Sequence, residues 1–169
     1  MFRQMMFFIV VVFAICSTAS SVSAGDAALS PLAQKAKSIV EAAHAYVQEH
    51  SSDMDAVQKA LMTDPGFRDN SDGLYIFMHC YNPEKEEAIC CGQGVRPDLL
   101  GKNMWRLRTP NGRLLFHEFF ELIEKKGEGW IEYEWLHPTQ KKVQTKQSYV
   151  MKVILKDGRK AGIGCGFWK

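Results

Sequence analysis

Two short runs place side chains suited to holding a small molecule on one face of an extended chain. From Gly127 to Trp135 (GEGWIEYEW) aromatic and acidic residues alternate, the pattern of a half-buried β-strand. Tyr133 and Trp135 are two apart and so share a face. They offer the apolar wall and phenolic hydroxyl that small-ligand pockets combine; the alternative is that both rings fill the core against Phe116 and Phe120. In the run containing Leu74 to His79, Tyr75, Phe77 and His79 share one face of a second strand. His79 is a candidate hydrogen-bond donor whose charge changes near neutral pH, or else a structural histidine. Arg106, in a loop rich in Gly, Pro and Asn, is a candidate cation for a carboxylate, or else a solvent-facing arginine.

Catalytic chemistry has weaker support. Glu132 and Glu134 form a carboxylate pair of the kind used in glycoside hydrolysis. Charges alternating with aromatics are, however, also what a strand with one wet face shows. No nucleophile elbow, H-E-x-x-H motif or phosphate loop occurs, and no C-x-x-C-H for haem. The expectation is a protein that is not an enzyme and carries no cofactor.

The first 24 residues have the layout of a secretory signal: Arg3, then an apolar stretch from Met5 to Ile15, then Val22-Ser23-Ala24 as a small-x-small cleavage pattern. An uncleaved anchor is the competing reading, although the apolar stretch is shorter than the roughly 20 residues a bilayer span requires. Cleavage after Ala24 leaves residues 25–169 as one domain in the periplasm or outside the cell. It removes one charge, Arg3, and takes the net charge from +2 to about +1. A nucleic-acid partner would call for a concentrated basic face, which this balance argues against.

An oxidising compartment makes the cysteines candidates for disulfides. Cys80, Cys90, Cys91 and Cys165 allow three connectivities. Cys80 lies across a short charged turn from the Cys90-Cys91 pair, so a bridge with Cys80 as one partner is expected. A metal site using Cys80, Cys90, Cys91 and His79 is the alternative, but the spacing matches no zinc signature.

The elements that must position these residues are legible. Ser30-Pro31 starts a helix, and Leu32, Ala36, Ile39, Ala43, Tyr46 and Val47 form its apolar stripe. Asp53 caps a second helix that ends at Asp64-Pro65-Gly66, so helices occupy residues 31–62. A sheet core then spans residues 74–168, with strands at 74–79, 88–91, 130–135, 148–155 and 161–167. Between the second and third of these, Leu115, Phe116, Phe119, Phe120 and Ile123 stripe a third helix stopped by Gly127. Asp157-Gly158 joins the last two strands as a hairpin. The sum is an α+β domain, an antiparallel sheet of about five strands with helices on one side.

Taken in order, SDGLYIF (from Ser71), RPDLLGKNMWRL (from Arg96), GEGWIEYEW, TKQSYVMKV (from Thr145) and GIGCGFW (from Gly162) resemble the single Cache domain, type 2, an extracytoplasmic small-molecule sensor module of bacteria. The resemblance spans about Pro31 to Trp168. It implies a PAS-like fold with a long N-terminal helix packed on the sheet, and binding of a short-chain carboxylate without chemistry on it. It favours a pocket role for Tyr133 and adds Lys146 and Tyr149 as ligand contacts. Lys146 would pair the carboxylate through charge-assisted hydrogen bonds; as a bare sequence feature it would be a solvated surface charge. Gln93-Gly94 stands where many members carry the His-Pro of an Ala-His-Pro element, so either Gln93 replaces that histidine or the ligand differs. Family members usually sit between two membrane helices, and no second apolar run follows the signal. The expected role is therefore sensing or ligand capture through a membrane receptor, kinase or transporter. A structural protein with a filled pocket and a solute-binding transporter accessory remain as other readings.

Overall fold

A computed structural model describes residues 29–137 and 140–169; the expected signal segment lies outside the described residues. Helix α1 (Pro31–His50) begins as its sequence requires, with Ser30 Oγ accepting from the Ala33 amide at 3.2 Å and Pro31 in the first turn. Asp53 caps α2 (Met54–Thr63) in the same way, accepting from the Ala56 amide at 3.0 Å. The third helix, α3 (Leu115–Lys126), carries Lys125 and Lys126 in its last turn, where cations suit the helix dipole.

Six strands form one antiparallel sheet: β1 (Arg68–Asp69), β2 (Leu74–Asn82), β3 (Glu87–Gln93), β4 (Glu128–Leu136), β5 (Val143–Ile154) and β6 (Lys160–Trp168). The spatial order is β1-β2-β6-β5-β4, with β3 pairing β2 beyond the two-residue β1. That short β1 is the strand added to the five expected, and β5 starts five residues earlier than the expected Ser148.

Alternation along β2 splits the interior into two clusters. Ile76, Met78 and Cys80 face α1 and α2, with Val40, Val47 and Leu61 among their neighbours. Phe77 and Tyr81 face the other way, toward Phe116, Phe119 and Phe120 of α3. Helices therefore cover both faces of the sheet rather than one. The reason lies in β6, where Ile163, Cys165 and Phe167 belong to the α1 side while Gly162 lies under Ile123 and Phe120 of α3. No helix among the described residues is long and apolar enough to cross a membrane.

The cysteine expectation resolves to Cys80–Cys91, with Cα atoms 5.9 Å apart, while Cys90 and Cys165 are buried thiols. A register shift in the β2–β3 pairing accounts for the choice, because His79 pairs Cys90 and Met78 pairs Gly92, leaving Cys91 as the extra residue. Two of the four soft donors are thereby taken out of any metal site. Closing a loop of 11 residues is expected to stabilise the domain by about 3 kcal/mol. Denaturant unfolding of Cys91→Ser against the parent measures that loss. Alkylation of unfolded, unreduced protein lacking residues 1–24 should label two thiols, and labelling of four would refute the bridge.

Candidate ligand-binding site

The α3 side of the sheet keeps a cavity of about 100 Å³ between β2, β4, β5, α3 and the loop that joins β3 to α3. That is room for several water molecules, or for a small molecule of a few heavy atoms. Phe77, Leu107, Leu115, Phe116 and Phe119 make most of its wall, and Tyr75, His79, Gln93, Tyr133 and Lys146 supply the polar groups. The loop is held as a fixed lid: Asn103 Oδ1 accepts from the Ala88 and Trp105 amides, and the Met104 amide donates to the Ala88 carbonyl at 2.9 Å. Its Met104 and Leu107 reach the cavity. The larger groove along Cys80 to Ile89 and Asp157 to Lys160 is a surface depression rimmed by charges of both signs.

Lys146 dominates the polar end. The residue is only 3% exposed, near the start of β5 and directly opposite Tyr133 of β4. The Nζ donates to the Tyr75 hydroxyl at 3.3 Å and lies 4.8 Å from the Tyr75 ring centre and 5.3 Å from that of Trp168. No carboxylate pairs with it among the described residues. Burial opposes its charge, while the oxygens of Tyr133 and Tyr75 and the hydrogen bond to Tyr75 favour the ammonium and carry its pKa above the ordinary lysine value. Burial pushes the Tyr133 phenol above its ordinary range, so it stands there as a neutral dipole, and the ammonium is buried without a carboxylate counter-ion. Burying a charge is costly unless it is paired, so this end of the cavity is built for an anion.

Glycines make room for that lysine. Gly166 of β6 lies beneath it, and a Cβ added there would fall inside the radius of Ser148 Oγ and 2.9 Å from Lys146 Cε. At Gly164 an added Cβ would stand 2.6 Å from the Phe77 ring. Bare backbone on this face of β6 lets side chains from β2 and β5 lie flat across the sheet. Tyr133 is fixed by its hydroxyl, 3.1 Å from Ser148 Oγ, and by an edge-on contact with Phe119.

His79 is 5% exposed, with its ring 4.2 Å from that of Phe116. Its Nδ1 has no hydrogen-bond partner among the described residues. Burial lowers its pKa to about 3, so it is neutral at physiological pH. Lys146 is then the sole positive charge among the residues lining the cavity.

Residues 22–154 match the family described as single Cache domain 2. The chain belongs to that family. Among solved structures, it is similar to the periplasmic sensor domain of a chemotaxis protein, at 24% identity and a TM-score of 0.62, covering 83% of this chain and 99% of that one. A Cache chemosensory domain described for carboxylic acid recognition matches at 19% identity and a TM-score of 0.60, over 80% of this chain and 91% of that one. A methyl-accepting chemotaxis protein from Vibrio parahaemolyticus RIMD 2210633 matches at 20% identity and a TM-score of 0.61, over 80% and 86%. These likenesses agree with the antiparallel α+β Cache fold.

Within this Cache domain, six of the eight residues singled out in the sequence converge on the cavity: Tyr75, Phe77, His79, Tyr133, Trp135 and Lys146. The structure places the other two elsewhere. Tyr149 is three residues from Lys146, and an odd spacing on a strand points to opposite faces. Its ring lies on the α1 side, 5.0 Å from Trp130 and beneath Lys37. Arg106 is 82% exposed and pairs with Glu86 at 2.6 Å, outside the cavity. Glu132 and Glu134 are exposed on β4, away from Tyr133, which leaves the carboxylate pair outside the cavity as well. Trp130 belongs to the α1-side core.

Sequence reasoning missed the polar contribution of Ser148 and the role of Gln58. From α2, the Gln58 amide bonds both backbone groups of Gln93, accepting from its N–H at 2.9 Å and donating to its carbonyl at 2.8 Å. Spacing along the chain carries no signal for a contact between residues 35 positions apart.

Proposed function

We propose that this Cache domain binds a short-chain carboxylate without transforming it, in the cavity between the sheet and α3. The observation that carries this reading is the buried, counter-ion-free ammonium of Lys146 beside the hydroxyls of Tyr75 and Tyr133. An incoming carboxylate would accept charge-assisted hydrogen bonds from that ammonium. Its short tail would meet Phe77, Phe116 and Phe119, where burial of each methylene contributes about 0.8 kcal/mol. The small volume of the cavity favours acids of two to four carbons. The similar Cache chemosensory domain described for carboxylic acid recognition supports the same ligand class.

We further infer that the protein works outside the cytoplasm. Residues 1–24 act as a cleaved signal peptide, and occupancy of the site is passed to a membrane receptor, kinase or transporter. The open cavity argues against a purely structural role with a filled pocket.

A thermal-shift screen of acetate, propionate, lactate and pyruvate tests the reading. A ligand at 100 times its Kd should add about 2.7 kcal/mol, a rise of several degrees in Tm. Absence of a shift with every acid at millimolar concentration, beside a clear shift with amines or metal ions, would overturn it.

A further inference from the structure

The cavity has a second polar feature, remote from the ammonium of Lys146. His79 is buried and lines the cavity, and its Nδ1 has no hydrogen-bond partner among the described residues. A buried nitrogen in that condition costs stability, and a phenylalanine would fill the same space without that cost. The residues around it do not supply the missing bond. Cys90, paired with it on β3, directs its thiol to the Gly92 carbonyl, and Gly162, paired with it on β6, has no side chain. Tyr81, on the same face of β2, donates to Glu124 at 2.6 Å. Phe77 and Phe116 bring only rings, 6.0 and 4.2 Å from the imidazole.

Spacing along β2 sets what can reach His79. Tyr75, whose hydroxyl accepts from Lys146, lies four residues before it, with Phe77 between them on the same face. At ~3.3 Å per residue, the Cα atoms of Tyr75 and His79 are about 13 Å apart. An acid with its carboxylate at Lys146 therefore holds carbon 2 beside Phe77, short of the imidazole. A substituent one or two carbons further along meets the ring.

The chemistry of that substituent follows from the imidazole. In its neutral form one ring nitrogen donates and the other accepts, and the outer torsion of histidine is broad enough to turn either toward a ligand. A hydroxyl does both and so satisfies either tautomer. A second carboxylate would be buried beside an uncharged ring with no counter-charge of its own, which is costly.

We propose that His79 is the specificity-determining residue at the far end of this cavity, and that its imidazole hydrogen-bonds a hydroxyl on carbon 3 or 4 of the bound acid. This rests on the carboxylate reading above and narrows the ligand to four-carbon hydroxy acids whose hydroxyl is remote from the carboxylate.

Isothermal titration of the secreted form with butyrate and its 2-, 3- and 4-hydroxy derivatives provides the test, since the four share a carbon count and differ only in the hydroxyl. The parent should bind the 3- or the 4-hydroxy acid roughly 10-fold more tightly than butyrate, the gain from one hydrogen bond that also satisfies a buried nitrogen. The 2-hydroxy acid should gain no more than about twofold. In His79→Phe, which keeps a ring against Phe116, the preference should fall to within about twofold while butyrate affinity is held. If that variant does not fold, the ring signals of His79 in histidine-labelled parent decide by NMR: they should move with the preferred hydroxy acid and stay in place with butyrate. A parent that binds butyrate as tightly as both remote hydroxy acids overturns the assignment, as does one that ranks the 2-hydroxy acid first. A His79→Phe variant that keeps the preference, or that weakens all four acids alike, removes His79 from recognition. Binding of acetate or propionate with none of the four-carbon acids also overturns the assignment. A parent that binds no acid at all overturns the carboxylate reading itself, a result distinct from each of these.

Discussion

Replacing Lys146 with methionine should abolish carboxylate binding while leaving the ligand-free domain at least as stable as the parent. Methionine keeps the length and apolar stem that lie over Gly166 and removes only the charge. A charged hydrogen bond of this kind contributes about 1.5–3 kcal/mol to an interaction, and the variant would also leave the carboxylate buried without a partner. Together these place the expected loss in affinity at ~100-fold or more. The stability side has the opposite sign. At neutral pH the ammonium, 3% exposed, is offset only by a 3.3 Å hydrogen bond to a phenol and by two aromatic rings. Cation–π contacts are worth about 0.5–2 kcal/mol each, no more than the several kcal/mol of desolvation that a buried ion bears. Calorimetry with pyruvate and a denaturant melt without ligand check both halves. A variant that binds as the parent does would remove Lys146 from the site. One that loses binding only because it unfolds would make the lysine structural.

The two lysine readings open in the sequence, surface charge and ligand contact, could not be separated there for a physical reason. Strand β5 opens with Val143-Gln144-Thr145-Lys146-Gln147, a polar run that resembles a loop, and its pairing with β4 from Leu136↔Val143 onward makes it extended. Once the strand begins that early, Lys146 and Ser148 share the cavity face and Tyr149 must turn away. The same rule was legible where alternation was strong, as in Tyr133 and Trp135 on β4 or Tyr75, Phe77 and His79 on β2. Helix boundaries were readable because caps are local chemistry: Ser30, Asp53 and Gly127 each act within a few residues of themselves. The Gln58 clamp on Gln93 is tertiary, and so is the choice of Cys91 over Cys90, which depends on a one-residue shift in register. Local propensity says nothing about either.

Lowering the pH from 7 to 5 should weaken the fold by about 2 kcal/mol through His79 alone. An unfolded chain holds this imidazole near its ordinary value of 6.5, whereas burial against Phe116 and Phe77 lowers it to about 3 in the native state. Between those values the unfolded state binds one more proton than the native state. Stability is therefore complete above pH 6.5 and falls by about 1.4 kcal/mol per pH unit as acid is added, until pH nears 3. Asp69 and Glu124, whose carboxyls are held low mainly by Lys35 and Lys152 respectively, enter only below about pH 4.5, since their ordinary values are 3.8 and 4.5. The window from 6.5 to 5 thus separates the histidine from those carboxylates. His79→Phe keeps an aromatic ring against Phe116 and has nothing to titrate, so its stability should stay nearly level across that window. Urea melts at pH 7, 6 and 5 on both proteins give the comparison. A parent and variant with parallel pH dependence would show that His79 is already charged, or freely solvated, in the native cavity, and Lys146 would then no longer be the only cation a ligand meets there.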